Sequence, residues 1–207
     1  MTAHHTQPEA AAPELGAPAA VRPAAAADLP ALAKVLSEAF AEYPWTRWSI
    51  PTEDYERRLE QLQELYLGHA LAHGLVFTDD ARTSVAAFLP PDAPELPGEL
   101  QEVVGELHGD RLSRLLELSL PQGPAEAWSL ATVGVSPASQ GRGLGSAVTR
   151  AGLAAIDERH APVSLETSSE DDVRLYLRLG FAVDATTQVP DGPIVYSMSR
   201  PARPQAD

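Results

Sequence analysis

Residues Gln140-Gly141-Arg142-Gly143-Leu144-Gly145 constrain this chain more than any other stretch. They follow an apolar run, Leu130 to Val135, and lead into a helical pattern of Leu144, Val148, Ala151 and Ala155. Glycines at alternate positions let the backbone turn sharply and pass close to a ligand. A helix starting beyond such a loop offers unpaired N–H groups and the positive end of its dipole, which together suit a phosphate. The pattern is not a dinucleotide fingerprint, because Val148 stands where a third glycine falls when counting starts at Gly143. It is not a P-loop either, since no Gly-Lys-Ser/Thr triplet occurs. A glycine turn that only caps a helix is the competing reading.

The chain beyond the loop has the same strand-to-helix rhythm. Val163 to Thr167 reads as a strand. Ser169 precedes an acidic turn and an apolar pattern of Val173, Tyr176 and Leu177, and Gly180-Phe181 stops that helix. Upstream, Val21 to Pro23 is a short strand, and Asp28 caps a helix carrying Leu29, Leu32, Leu36 and Phe40 on one face. Pro44 ends it, leaving Tyr43 to Trp48 as an aromatic loop. A second helix is predicted from about Thr52 to Ala72, stopped by Gly74. Strands follow at Leu75–Thr78 and Thr83–Leu89, then a proline-rich loop to Pro97. Helical patterns run from Glu99 to Leu107 and from Arg111 to Leu120. Trp128 to Val135 is a central strand. Ala182–Val189 and Ile194–Ser199 pair through the Pro190–Pro193 turn. Strands alternating with helices predict an α/β chain with a mixed sheet covered by helices.

With 207 residues the chain suits one domain, expected over 21–200. Met1 to Ala20 is rich in Ala and Pro and is expected to be a disordered tail, and residues 201–207 a short one. His4 and His5 on that tail are read as incidental. The net charge of −14 argues against a nucleic-acid partner, which calls for a basic face. It favours a cationic ligand by long-range attraction, or serves solubility alone. No apolar run is long enough to span a bilayer and no basic, apolar leader opens the chain, so no membrane partner and a cytoplasmic location are expected. The absence of cysteine removes disulfides, thiolate metal sites and a cysteine-linked acyl intermediate. The sequence gives no handle on oligomeric state.

The Q-x-x-G-x-G form of Gln140 to Gly145, with Tyr176 and Gly180-Phe181 some thirty residues on, resembles the Gcn5-related N-acetyltransferase (GNAT) superfamily. The likeness covers roughly Val21 to Ser199. Longer runs resemble the puromycin N-acetyltransferase branch: Ala39–Pro44, Glu60–Leu65, Leu130–Pro137, Gly143–Val148, Leu165–Ser168, Arg178–Phe181 and Val189–Pro193. The resemblance implies a twisted mixed sheet of six or seven strands, splayed at a bulged central strand. It implies acetyl-CoA as cosubstrate, no metal, and direct acetyl transfer to the amine of a small molecule. An aminonucleoside antibiotic of the puromycin type leads, which would make the activity one of resistance. Another amine, such as an amino acid, a peptide or a different antibiotic, and a non-catalytic acyl-CoA-binding module are the alternatives.

Site roles follow from the same likeness. N–H groups from Gly141 to Ser146, those of Arg142, Gly143, Leu144 and Gly145 among them, would hold the pyrophosphate, and Gln140, Gly134 and Tyr176 are further candidate cofactor-binding residues. Gly134 interrupts a β-branched strand, which marks a bulge or relieves crowding. Backbone groups of Val133 and Val135 would pair with the pantetheine arm, and the Val133 N–H would meet the acetyl carbonyl. Tyr176 is the candidate general acid, with a core tyrosine as the other reading. Glu166 and Glu42 are the candidate bases and cation-attracting groups; either could be an ordinary surface acid. Tyr43 and Trp45, with Trp48, are candidate walls of the acceptor pocket. Asp172 departs from the family's usual asparagine and reads as a helix-capping acid paired with Ser169.

Overall fold

The computed structural model describes residues 20–203. Both histidines of the N-terminal tail, nearly all of that tail, and the last four residues lie outside the described residues. The elements run β1 (Val21–Pro23), α1 (Leu29–Ala39), α2 (Pro44–Ser49), α3 (Tyr55–His73), β2 (Leu75–Asp79), β3 (Ser84–Leu89), α4 (Gly98–His108), α5 (Leu112–Glu117), β4 (Trp128–Val135), α6 (Leu144–Asp157), β5 (Val163–Thr167), α7 (Glu170–Arg178), β6 (Ala182–Gln188) and β7 (Ile194–Arg200). The seven strands form one sheet in the order β1-β2-β3-β4-β5-β7-β6. Only β4 and β5 run parallel, so the sheet is mixed as predicted.

Strand β3 shows why both faces are covered. Side chains alternate across a strand. Val85 and Ala87 therefore pack with Leu32, Leu36 and Leu67 of α1 and α3, while Ala86 and Phe88 pack with Val148, Leu153 and Ile156 of α6. Phe88 is fully buried, and its ring fills the space beside Gly152, where a Cβ would stand 2.0 Å from the ring. That contact lets α6 lie close on the sheet. One strand in from the far edge, Arg200 of β7 holds Asp157 of α6 through two hydrogen bonds of 2.7 and 2.9 Å. Among the described residues no helix is long and apolar enough to cross a membrane.

Four local predictions are corrected. Tyr43 to Trp48 is not a plain loop: Pro44 opens α2, because a proline at the first helical position loses no hydrogen bond and is preset in φ. The helix predicted from Arg111 to Leu120 is only Leu112–Glu117, preceded by a 3-10 turn at Gly109–Arg111. Asp28 does not cap α1 by a side-chain bond. Its carboxylate instead accepts from the Ala25 N–H at 2.9 Å and from Arg22 at 2.7 and 3.1 Å. The irregularity in β4 lies not at Gly134 but at Ala131, the residue skipped between the Ala87–Thr132 and Phe88–Leu130 pairs. Gly134 pairs regularly with Val85, and a Cβ on it would stand 2.7 Å from the Leu36 side chain. Its role in the fold is to admit α1.

Candidate active site

Parallel strands β4 and β5 share only two register pairs, Trp128–Val163 and Ser129–Ser164. Beyond Ser129 the bulge at Ala131 turns β4 along β3, and the two central strands part. A cavity of about 870 Å³ opens between them. Ala131 to Val133 form one wall and Ser164 to Ser168 the other, while Asp172 and Tyr176 of α7 line it beside β5. Tyr43 and Trp45, with side chains from α3 and α4, complete the enclosure. Among the described residues the wall includes Glu95, Glu166, Asp172 and Asp184 but no lysine or arginine.

At the end of β4 the glycine loop leads into α6. Gly141 and Gly143 have φ of 74° and 78°, a region that favours glycine, and nothing lies within 4 Å of where their Cβ atoms would be. Gly143 caps α6 without any side-chain bond, and no acid occupies that helix's first turn. The first N–H groups of the helix thus face open space, an arrangement that fits a diphosphate. Gln140 donates from Nε2 to the Val135 carbonyl at 3.2 Å and ties the loop to the strand end. Gly145 packs on Val135, and Leu144 is buried beneath. Arg142 is exposed on the loop, and Ser146 is half-buried in the first turn of α6. The loop, Gly134 and Val135 are not on the cavity wall, which ends at Val133.

Tyr176 is buried to 7 % exposure and packs edge-on against Phe181 at 5.7 Å between ring centres. The chain turn that places Phe181 there uses Gly180 at φ 91° and a 3.1 Å bond from the Phe181 N–H to the Tyr176 carbonyl. Burial pushes the phenol well above its ordinary value, and the nearby charges of Asp172 and Tyr43 push the same way. Its hydroxyl has no hydrogen-bond partner among the described residues.

Tyr43 is held by the β5–α7 junction. Its hydroxyl accepts from the Ser168 N–H at 2.8 Å and meets Thr167 Oγ1 at 2.7 Å. Thr167 Oγ1 in turn donates to Asp172 Oδ2 at 3.3 Å, so the phenol donates to the threonine. The Trp45 N–H adds a 3.2 Å bond to Ser168 Oγ. Burial raises the Tyr43 phenol and the Asp172 carboxyl, with the bond from Thr167 opposing the rise at Asp172. The Ser169 hydroxyl accepts from the Asp172 N–H at 3.4 Å, the capping contact predicted.

Glu166 lines the cavity, and partial burial by the surrounding protein raises its carboxyl above the ordinary value. Glu42 is elsewhere: its side chain is 85 % exposed, pairs with Arg47, and is absent from the wall. Trp48 is also turned away, buried against Val189 and Val195 as a plug. Sequence reasoning missed several wall residues, Glu95, Asp184 and Tyr66 among them, and two more that bear on the site's network and packing. Asp172 was set aside as a cap, although its spacing of four from Tyr176 puts both on one helix face. His108 ends α4 and donates from Nδ1 to the Ser49 carbonyl at 2.8 Å, and burial lowers its pKa. Nothing local in the sequence marks it. Among the described residues no group of three or more His, Asp or Glu could hold a metal.

The model of the acetyltransferase (GNAT) family matches residues 37–181. A structure of a histone acetyltransferase HPA2 and related acetyltransferase from Corynebacterium glutamicum is similar at a TM-score of 0.72 and 27 % identity, covering 91 % of this chain and 99 % of that one. The C-terminal condensation domain of Ebony in complex with beta-alanyl-dopamine is similar in fold, with a TM-score of 0.61, 11 % identity, and coverage of 88 % and 98 %. So is a GCN5-related N-acetyltransferase from Rhodopseudomonas palustris, at 0.56, 12 %, 89 % and 96 %. The family model spans most of the chain: the chain belongs to the GNAT acetyltransferase family.

Proposed function

We propose that this enzyme, as a single domain over residues 21–200, transfers acetyl directly from acetyl-CoA to the amine of a small cationic, aromatic molecule, with an aminonucleoside of the puromycin type as the leading acceptor. The observation that carries the acceptor class is the cavity wall. Four acids without a lysine or arginine favour a cation, and Phe40, Tyr43, Trp45 and Tyr66 offer flat rings to an aromatic group. The runs shared with the puromycin N-acetyltransferase branch support the finer assignment.

Acetyl-CoA supplies an activated acyl group. N–H groups from Gly141 to Ser146 would hold its diphosphate, and the free edge of β4, Val133 to Val135, would pair with the arm. The acceptor arrives as an ammonium, since alkyl amines titrate near a pKa of about 10. Glu166 takes a proton from that nitrogen, and its raised pKa makes it a stronger base than an open carboxylate. Tyr176 gives its proton to the departing sulfur as the C–S bond breaks, and the phenolate regains one from the adduct's nitrogen, which sheds its second proton as the amide forms; the raised pKa keeps the resting phenol protonated. Glu42, paired with Arg47 and off the cavity wall, is assigned no part in proton transfer.

Thiol release from acetyl-CoA across a panel of amines tests the assignment. Release with puromycin and other cationic aromatic amines, but not with amino acids, is expected. Release only with carboxylated amines would overturn the acceptor class, and coenzyme binding without release in any amine would overturn the activity.

A further inference from the structure

Four of the five buried side-chain N or O atoms that lack a hydrogen-bond partner among the described residues are donors in one place: Trp48 Nε1, Arg111 Nε, and Arg114 Nε and Nη2. Native proteins leave few buried donors unpaired, so a cluster of them points to a missing acceptor. The residues line an open depression of about 320 Å³ between α2, the segment from Arg111 to Arg114, and the β6–β7 turn. It lies behind the acceptor end of the cavity. Trp45 and Leu115 face the cavity, whereas Trp48 and Arg114, on the same two helices, face the depression.

The charges there are poorly matched. The Arg114 guanidinium stacks over the Trp48 ring, 4.4 Å from its centre, which fixes the plane of its donors. No carboxylate among the described residues lies within ion-pair distance of it. Arg111 Nε is 3.7 Å from Asp110, too far for a hydrogen bond, and that aspartate is 80 % exposed. Arg47 adds a third guanidinium, paired with Glu42. Burial and then the charge of Arg111 push the Arg114 guanidinium below its usual pKa. In a chain of net charge −14, two adjacent arginines, one paired only with exposed Asp110 and the other with no carboxylate in ion-pair distance among the described residues, are a costly arrangement unless an anion joins them.

We propose that this depression binds a phosphoryl-type oxyanion, gripped between the Arg111 and Arg114 guanidiniums and the Trp48 indole N–H. Two planar forks set side by side match the oxygens of a tetrahedral anion, and an indole N–H can only donate. The depression has room for more than a bare ion, so the phosphoryl group is either free phosphate or a phosphomonoester. Asp191, on the same rim, opposes the anion.

Calorimetric titration of inorganic phosphate, and separately of phenyl phosphate, into the full chain at constant ionic strength tests this. Coenzyme A is present in excess to fill the glycine loop. One saturable site is expected for at least one probe; tighter binding by phosphate assigns the free ion, and tighter binding by the ester assigns a phosphorylated molecule. Arg114→Gln or Arg111→Gln should weaken it at least tenfold. Asp191→Asn should tighten it severalfold; Asp191 sits at φ 50°, a conformation asparagine also tolerates, so that variant keeps the fold. Absence of saturable binding by both probes, affinity unchanged by both arginine substitutions, or weaker binding in Asp191→Asn would overturn the proposal. None of these readouts requires acetyl transfer.

Discussion

Asp172 and Tyr176 stand one turn apart on α7 and line the same cavity, so a half-buried carboxyl sits within electrostatic reach of the phenol. The pair connects the proton chemistry at the sulfur to the network that holds Tyr43 in place. An anionic Asp172 disfavours the phenolate, which keeps Tyr176 protonated and able to donate.

Tyr176→Phe removes only the hydroxyl and leaves the edge-on contact with Phe181. Loss of a general acid costs about 10²-fold or more in kcat. The Kd for acetyl-CoA should stay within about twofold, because the ring's packing is retained. Steady-state thiol release and titration of the coenzyme separate the two quantities; a kcat within threefold of the parent would remove Tyr176 from the chemistry.

Asp172 also affects stability. Burial raises its folded pKa above 3.8, so the folded state binds the proton more tightly than the unfolded chain does. Stability from this group is fully present below 3.8 and is lost as pH rises through the raised folded value. Asp172→Asn has no such loss. Its Tm should match the parent's in acid and exceed it at neutral pH. A Tm difference independent of pH would contradict the burial argument.

Much of this site was legible before any coordinates, and the reasons are local. The glycine loop announces itself because positive φ at Gly141 and Gly143 favours glycine, and β4 and β5 announce themselves by their β-branched and apolar residues, of which Leu130, Val163 and Leu165 are buried. Tyr176 was found through the Gly180-Phe181 stop that closes its helix. Long-range relationships were hidden. Gly134 looks the same whether it marks a bulge or, as here, admits Leu36 from a helix almost a hundred residues earlier. Asp172 satisfies a capping pattern and faces the cavity at once, and capping geometry alone does not reveal the second role. His108 and Ser49 meet only through tertiary packing.

Glu166→Gln tests the base. In the parent, kcat/KM should fall in acid with a limb set by a carboxyl that titrates above 4.5. The amide should abolish that limb and lower kcat/KM at neutral pH by about 10²-fold. An unshifted profile in this variant would assign proton removal to water or to another wall residue.

Asp28 contributes stability of the opposite sign. The hydrogen bonds from Arg22 and then from the Ala25 N–H hold its carboxyl at about 2, below its ordinary 3.8. That stability is present above 3.8 and disappears as pH falls through about 2. Asp28→Asn should therefore destabilise the neutral protein by about 1.5–3 kcal/mol, the usual worth of hydrogen bonds to a charged group, and by progressively less in acid. Urea denaturation at several pH values reads both.

Binding of acetyl-CoA at the loop before α6 underlies every catalytic role assigned above. Titrating acetyl-CoA into the parent chain and into Gly141→Ala and Gly143→Ala, with circular dichroism to confirm the fold, examines it directly. A methyl group at either position faces φ values of 74° or 78°, a strain of about 1–2 kcal/mol, and occupies the loop's open side. One site in the parent and at least tenfold weaker binding in both variants is expected. No heat in the parent, or equal affinity in all three proteins, would contradict it.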